Sequence, residues 1–389
     1  VLAATSRRYR ERENHISSDS WPIYISLQKD GILFKMRRTQ DLPDKESATM
    51  FFQDCKLSHQ AQITGISHSV KEILPPDLLD LTQLQKEANI RYGYTASEVY
   101  DIAQSLYEKK LISYPRTSSR YLTEDVFDSL PPIMARLLSW ELFPAAKGTG
   151  GIDISNLSRH VISAEKANVH HAIIITGIRP GNLSEKEMQV YRLVAGRMLE
   201  TFMAPCRIET TNVEAVCAAQ HFKAEQTRII EAGWHDVFMR SDMVPKSGYS
   251  VNELPEVEKG DTLNVCGCNM VHKKELPVDP FTDAELVEYM ELNGLGTVSS
   301  RTNIIRTLVN RKYIRYSGKY IVPTPKGMFT YETIRGKKIA DTSLTADWEK
   351  QLTGLESGMI TGQDFLNRIR TLAKEMTDDI FNTYSTKEE

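Results

Sequence analysis

The sequence predicts a multidomain α+β chain: a β-rich arch carrying a helical insertion, followed by a winged-helix-like helical domain. Three observations lead there. β-prone, turn-punctuated sequence occurs twice, around residues 20–70 and 208–265, with helical periodicity in between. Capping boxes at Thr95-x-x-Glu98, Ser184-x-x-Glu187 and Thr282-x-x-Glu285 open three helices. From Leu292 to Tyr331 the chain has no acidic residue and reads as helix, glycine turn, basic helix and basic hairpin.

Composition fits this reading. At about 100–200 residues per domain, 389 residues suit two to four domains. Hydrophobic residues at 41% and charged residues at 25% exclude a disordered or fibrous chain. No apolar run approaches the ~18 residues of a membrane span, and no signal-peptide pattern opens the chain. Five scattered cysteines argue against a disulfide framework and for a reducing compartment. The net charge of −3 hides local clusters: Arg7-Arg8-Tyr9-Arg10-Glu11-Arg12, Lys109 to Thr123, and Leu292 to Tyr331. Such patches suit a polyanion held at a defined place, although a single cluster is as readily a solvated face.

Val1 to about Asn14 reads as the end of a helix, and the chain opens on Val rather than Met, so a piece of something longer is expected. Ile23, Ile25 and Leu27 alternate, Asp30-Gly31 supplies a two-residue turn, and Ile32, Phe34 and Met36 alternate back, a hairpin pattern. Leu74-Pro75-Pro76 breaks the chain before the Thr95 helix, which runs through Val99, Ile102, Ala103 and Leu106. After the Ser184 helix, Thr211, Val213 and Val216 return to β character. The Thr282 helix meets Asn293-Gly294-Leu295-Gly296-Thr297, a second helix carries Ile304, Ile305, Leu308 and Val309, and Ser317-Gly318-Lys319 closes a hairpin. This geometry presents the second helix's N-terminus to phosphate; a helix pair with a basic exterior is the plainer alternative.

Candidate chemistry lies at Leu111-Ile112-Ser113-Tyr114-Pro115-Arg116-Thr117. Pro115 ends helical structure and extends Tyr114. A phenol beside an arginine fork suits attack on phosphorus, because the cation favours phenolate and grips the phosphate oxygens. On its own, a Tyr-Pro-Arg tripeptide is more often an ordinary turn. His170-His171 precedes the apolar run Ala172 to Thr176 and could contact phosphate or cap the run. Cys266-x-Cys268 with His272 lacks a fourth ligand at suitable spacing, so no metal is assigned there.

Gln104 to Thr117 closely resembles the active-site segment of type IA DNA topoisomerases, especially the bacterial topoisomerase III branch. Leu81-Thr82-x-Leu84-Gln85-x-Glu87-Ala88, His170-His171-Ala172-Ile173, Gly294-Leu295-Gly296-Thr297 with Ser299-Ser300-Arg301, and Leu344 to Glu349 are similar to further family segments in order. Ser118, Val169, Ile175 and Val298 depart from residues common in the family.

The resemblance implies a toroidal gate. It divides the chain into a remnant of a DNA-binding helical domain (1–18), a β-rich arch in two parts (19–74 and 208–275), a helical gate domain bearing the catalytic Tyr (75–207), and a winged-helix-like DNA-binding domain (276–389). Tyr114 would attack single-stranded DNA to leave a 5′-phosphotyrosine, Arg116 would hold the scissile phosphate, and His170 would support a phosphate near the break. Thr117, His171, Ser299, Ser300 and Arg301 would bind DNA. Strand passage would relax or decatenate DNA without ATP. The resemblance further implies Mg²⁺ bound by an N-terminal Toprim domain that this chain lacks, so the chain itself is expected to hold no metal, to bind single strands weakly, and to cleave slowly or not at all. The expected partners are single-stranded DNA and a helicase, with no membrane, a monomeric state, and a cytoplasmic location at the bacterial nucleoid. The alternative is a non-enzymatic winged-helix DNA-binding protein. A tyrosine recombinase or relaxase would need arginine or histidine clusters that the sequence does not show.

Overall fold

The computed structural model describes residues 1–140, 142–143, 152–167, 170–238 and 246–385. The N-terminal helix is α1 (Leu2–Glu13). A short strand β1 (Asp19–Ser20) precedes the hairpin of β2 (Ile23–Lys29) and β3 (Ile32–Arg38). Lys29 pairs with Ile32, leaving Asp30 and Gly31 as the turn, with φ of 51° and 83°. Positive φ at both central residues matches the twist of the flanking strands. Helix α2 (Lys45–Leu57) leads into β4 (Gln60–Ile73).

The chain then enters a helical unit of α3 (Leu81–Tyr92), α4 (Ala96–Glu108), α5 (Glu124–Asp128), α6 (Leu130–Ser139) and α7 (Glu185–Phe202). It returns through β5 (Cys206–Cys217), β6 (Gln220–Glu231), β7 (Thr262–Met270) and a short β8 (Lys273–Lys274) that pairs with β1. The two β-rich stretches close into one antiparallel barrel in the order β2-β3-β6-β5-β4-β7, sealed by β2 against β7. Alternation brings Ile23, Ile25, Leu27, Phe34, Met36, Ile63, Val213 and Phe222 inside it.

β4 and β5 pair along nearly their whole length, from Gln62↔Val216 to Ile73↔Cys206. The points where the chain leaves for the helical unit and comes back are therefore hydrogen-bonded neighbours. That unit has its own core, in which Leu84, Val99, Leu106, Ile112, Ile173, Tyr191 and Met198 are fully buried.

The last part comprises α8 (Asp283–Leu292), α9 (Val298–Asn310), the hairpin β9 (Ile314–Ser317) and β10 (Tyr320–Pro323), α10 (Pro325–Ile334), α11 (Thr342–Glu356) and α12 (Gly362–Ser385). Val1 and Leu2 pack on its core of Leu286, Met290, Ile305 and Ile321, which ties α1 to it. The capping boxes at Thr95, Ser184 and Thr282 each form both reciprocal hydrogen bonds. Among the described residues no helix is long and apolar enough to cross a membrane.

Candidate functional site

The loop bearing Tyr114 is launched by the end of α4. Lys110 adopts a left-handed conformation (φ 58°), and the Leu111 and Lys110 amides return to the carbonyls of Leu106 and Tyr107 at 2.9 and 2.8 Å. These two bonds make a Schellman stop, which turns the chain sharply and buries Leu111. Glu187, in the first turn of α7, clamps this end by accepting from Ser105 Oγ at 2.7 Å and Lys109 Nζ at 2.5 Å. The Lys109 ammonium holds the Glu187 carboxyl down at about 2.

Beyond the stop, the loop is laced to the segment that follows the paired histidines. The Ser113 amide donates to Ile174 O (2.8 Å) and the Thr176 amide to Leu111 O (3.1 Å). Ser113 Oγ donates to Ala172 O (3.1 Å) and accepts from the Ile174 amide (3.0 Å). Ile173 in turn donates to Leu79 O (2.8 Å). The apolar run 172–175 is thus an extended, buried bridge between two loops. The Ile175 amide donates to Met198 Sδ at 3.2 Å.

Three candidate residues come together on this frame. The Tyr114 ring is half-buried, with its centroid 4.5 Å from that of the exposed His170 and 5.4 Å from Tyr107. Thr117 Oγ1 donates to His170 O at 3.0 Å. Arg116 lies over the Tyr100 ring at 5.1 Å and donates from one terminal nitrogen to Gln104 Oε1 at 3.2 Å. Its Nε is buried without a partner. The guanidinium is held from behind while donors remain for an incoming anion. His171 is half-buried, with Nδ1 2.7 Å from Ala172 O. Ser118 is exposed, and Val169 lies outside the described residues.

The residues around α9 are placed differently. Gly294 and Gly296 have φ of 62° and 73°, which lets the turn fold tightly before α9. Ser300 Oγ accepts from the Thr297 amide at 2.8 Å, and Ser299 is exposed at the helix N-terminus. Arg301 is not on the surface of α9. It is 8% exposed, and Nη1 donates to Thr82 Oγ1 at 3.1 Å and Glu291 Oε1 at 3.2 Å. Val298 packs against the core of the helical unit.

The N-terminus of α3 joins the two sets. Leu81 donates to Thr117 O at 3.1 Å, and the next residue, Thr82, bonds Arg301. Asp80 caps α3 through the Gln83 amide and pairs with Arg120 Nε at 2.6 Å. Burial lifts its carboxyl above the usual range despite that cation.

The supports of Arg116 were not singled out from the sequence. Tyr100 and Gln104, which hold Arg116, and Tyr107, which packs on Tyr114, stand at i, i+4 and i+7 of α4, beside the core stripe Val99, Ala103 and Leu106. A polar and aromatic stripe at that spacing was the available signal. The N-terminal basic cluster is consumed within the molecule: Arg8 pairs with Glu285, Arg10 with Glu332 and Arg12 with Asp279. Arg311, Lys312 and Arg315 are exposed and without an ion pair among the described residues. No three His, Cys, Asp or Glu side chains gather to hold a metal among the described residues, so the donor set of a Mg²⁺ site is not found in them. His272 instead stacks on Trp21 at 4.4 Å and meets Asp19 at 2.9 Å.

The fold is similar to that of full-length Topoisomerase I from Thermotoga maritima, with a TM-score of 0.74, 22% identity, and coverage of 96% of this chain and 61% of that one. In sequence, the chain is 31% identical over 344 residues to DNA topoisomerase 3 of Bacillus licheniformis, covering 82% of this chain and 47% of that protein. The Bacillus subtilis protein of the same name is 30% identical over 355 residues, covering 84% and 48%. The chain therefore spans about half the length of these curated relatives. The DNA topoisomerase family matches it from residue 1 to residue 367, and the chain accordingly belongs to that family.

Proposed function

We propose that these residues form the strand-cutting gate of a toroidal type IA topoisomerase, acting on single-stranded DNA. The observation that carries the reading is the Tyr114, Arg116 and His170 cluster on one hydrogen-bonded frame. The Tyr114 hydroxyl attacks a backbone phosphorus, the Oη–P bond forms, and the P–O3′ bond breaks. The products are a 5′-phosphotyrosine and a free 3′-hydroxyl. Arg116 meets the negative charge that develops on the phosphate oxygens, with its fork oriented by Gln104 and Tyr100. His170 donates to a phosphate oxygen beside the break, Thr117 beside the strand also holds that histidine's carbonyl, and His171 meets the bound strand. Attack by the 3′-hydroxyl on the phosphotyrosine reverses the step, so no ATP is consumed.

Ser299 meets a phosphate of the bound strand at the α9 N-terminus, while Ser300 and Arg301 hold the turn that presents it. Strand passage would follow when the helical unit, 75–207, swings on the β4/β5 ribbon, changing DNA topology by relaxation or decatenation. Divisions at 1–18, 19–74, 208–275 and 276–389 belong to the same proposal. So do a monomeric state, a helicase partner and a place at the nucleoid. Mg²⁺ assists the intact enzyme when held by Toprim carboxylates, which are not among the residues described. On an ordinary phosphodiester these residues alone cleave slowly.

Fluorescence anisotropy on matched single-stranded and duplex oligonucleotides at two salt concentrations tests the reading. Tighter, salt-sensitive single-strand binding that falls for Ser299→Asp is expected. A duplex preference would favour the non-enzymatic winged-helix alternative, which rests on the unpaired cations Arg311, Lys312 and Arg315.

A further inference from the structure

The barrel has one weak seam. Among the described residues, β3 pairs with β6 only at Arg37↔Lys223 and Arg38↔Phe222. Past Lys223, β6 takes a different neighbour. The Glu225 amide donates to Tyr249 O at 2.9 Å and the Val251 amide to Glu225 O at 2.8 Å, so residues 249–251 run beside β6 as a parallel strap. Between this strap and β3 lies a groove of about 430 Å³, with Leu33, Lys35 and Arg37 on one wall and residues 248–253 on the other.

The β3 wall is an unpaired strand edge. The two-residue turn at Asp30 and Gly31, both at positive φ, makes Lys29 and Ile32 a hydrogen-bonded pair. Such pairs alternate along an antiparallel ladder, so Phe34 and Met36 bond β2, while Leu33 and Lys35 turn their N–H and C=O groups away from it. Arg37 and Thr39, next in that outward set, bond β6 through the Lys223 pair and His221 O. No group among the described residues bonds the outward N–H and C=O of Leu33 and Lys35.

The facing wall is fixed in place. Tyr249 Oη donates to Thr39 O at 2.9 Å, and Arg37 lies over the Tyr249 ring at 5.6 Å. Arg37 also pairs with Asp41 at 2.5 Å and donates to Gly248 O at 3.4 Å, so it is committed to the strap. Leu33 is 59% exposed, and Lys35 is exposed with no ion pair among the described residues. Glu253 is also exposed, but on the strap wall. The charge offered beside the free backbone groups of β3 is therefore that of Lys35.

We propose that this groove docks an extended segment of a partner protein, which joins β3 as an added strand. That segment places an acidic residue opposite Lys35 and an apolar residue, two positions away, opposite Leu33. The added strand satisfies four backbone groups, and alternation puts both of its matching side chains on the outward face. Opposite charges across the pair add to this. Lysine on a free edge opposes a second copy of the same edge, so the arrangement disfavours self-pairing and favours an acidic partner.

The test follows amide hydrogen exchange of the 389-residue chain at single-residue resolution by NMR. Three pentapeptide probes are added in turn: threonine-valine-threonine-glutamate-threonine, the same peptide with N-methylated amides, and its glutamate-to-lysine counterpart. In the free chain the Leu33 and Lys35 amides should exchange fast and those of Phe34 and Met36 slowly. The glutamate probe, at about ten times its Kd, should slow exchange at Leu33 and Lys35 about tenfold by mass action. The N-methylated and lysine probes should not, and Lys35→Glu should transfer the preference to the lysine probe. No slowing at millimolar glutamate probe would overturn the proposal, as would equal slowing by the glutamate and lysine probes. Slowing by a single-stranded oligonucleotide but by no peptide would assign the groove to nucleic acid and overturn it too. The three probes on the unmutated chain decide the matter should Lys35→Glu fail to fold.

Discussion

Thr117 donates its hydroxyl to the carbonyl of His170, 53 residues along the chain, and the same oxygen accepts from the Ser119 amide at 3.0 Å. One side chain thus sets the distance between the loop that carries Tyr114 and the segment that carries His170. The Tyr114 and His170 rings, 4.5 Å apart, keep their relation through this contact and the Ser113 bonds beside it.

Thr117→Val keeps the shape and removes both bonds. Thr117 is buried, so an orphaned carbonyl and amide should cost about 1–3 kcal/mol in urea unfolding. Attack by Tyr114 on a single-stranded substrate should slow, while single-strand affinity changes little. Equal losses in both would mean that Thr117 only stabilises the fold.

Arg116→Lys replaces a planar fork with a point charge and gives up the Gln104 bond and the place over Tyr100. Single-turnover attack by Tyr114 should fall about 10²–10³-fold, the range for losing one oriented donor to a developing oxyanion. The measurement is covalent adduct formation at saturating oligonucleotide. A rate near that of the unmutated chain would contradict the assigned role.

Gly296→Ala should reveal how the α9 N-terminus is set. An added Cβ would sit 2.8 Å from Ser300 Oγ and 2.9 Å from Ile304 Cδ1, at a φ of 73° that L residues rarely adopt. Stability should fall by about 1–3 kcal/mol, and single-strand affinity should fall with it. Gly318→Ala, also left-handed but with open space around it, serves as the control and should leave binding unchanged.

Asp283 gives a pH dependence with an unusual sign. Its carboxyl is 2% exposed, accepts from the Ala96 amide at 3.3 Å and Tyr316 Oη at 3.2 Å, and burial pushes its pKa up to about 6. The folded chain then binds the proton more tightly than the unfolded one. The contribution of this group is fully present below the ordinary value of 3.8 and is lost as pH rises through about 6. Asp283→Asn should be more stable than the unmutated chain at pH 7 by up to ~3 kcal/mol, with the gain vanishing toward pH 4. Denaturant titrations at the two pH values check this; a gain that grows toward low pH would refute it.

What the sequence disclosed was local. Asp30-Gly31 and the three capping boxes act over two to four residues, and each forms as its chemistry requires. The closure of the barrel depends on β2 meeting β7 across more than 200 residues, which no local pattern encodes. Arg301 shows the same limit at the site. In sequence it is one of a row of cations, and only the placement of Thr82 and Glu291 against α9 makes it a buried brace. The N-terminal arginines likewise looked available until α1 met Glu285, Asp279 and Glu332. Tyr114, Arg116 and His170 could be named because their segments resemble a family, while the supports at Tyr100 and Gln104 needed the packing of α4.

The most direct test of the site uses single-stranded oligonucleotides with 3′-bridging phosphorothiolate linkages, whose thiolate leaves far more readily than an alkoxide. Incubation with the chain, followed by peptide mass mapping, locates any covalent nucleotide. The expected result is a 5′-phosphotyrosine on Tyr114 alone, absent from Tyr114→Phe although that variant still binds the strand. An adduct on Tyr107 or any other residue would contradict the account, as would no adduct from a chain that binds the oligonucleotide.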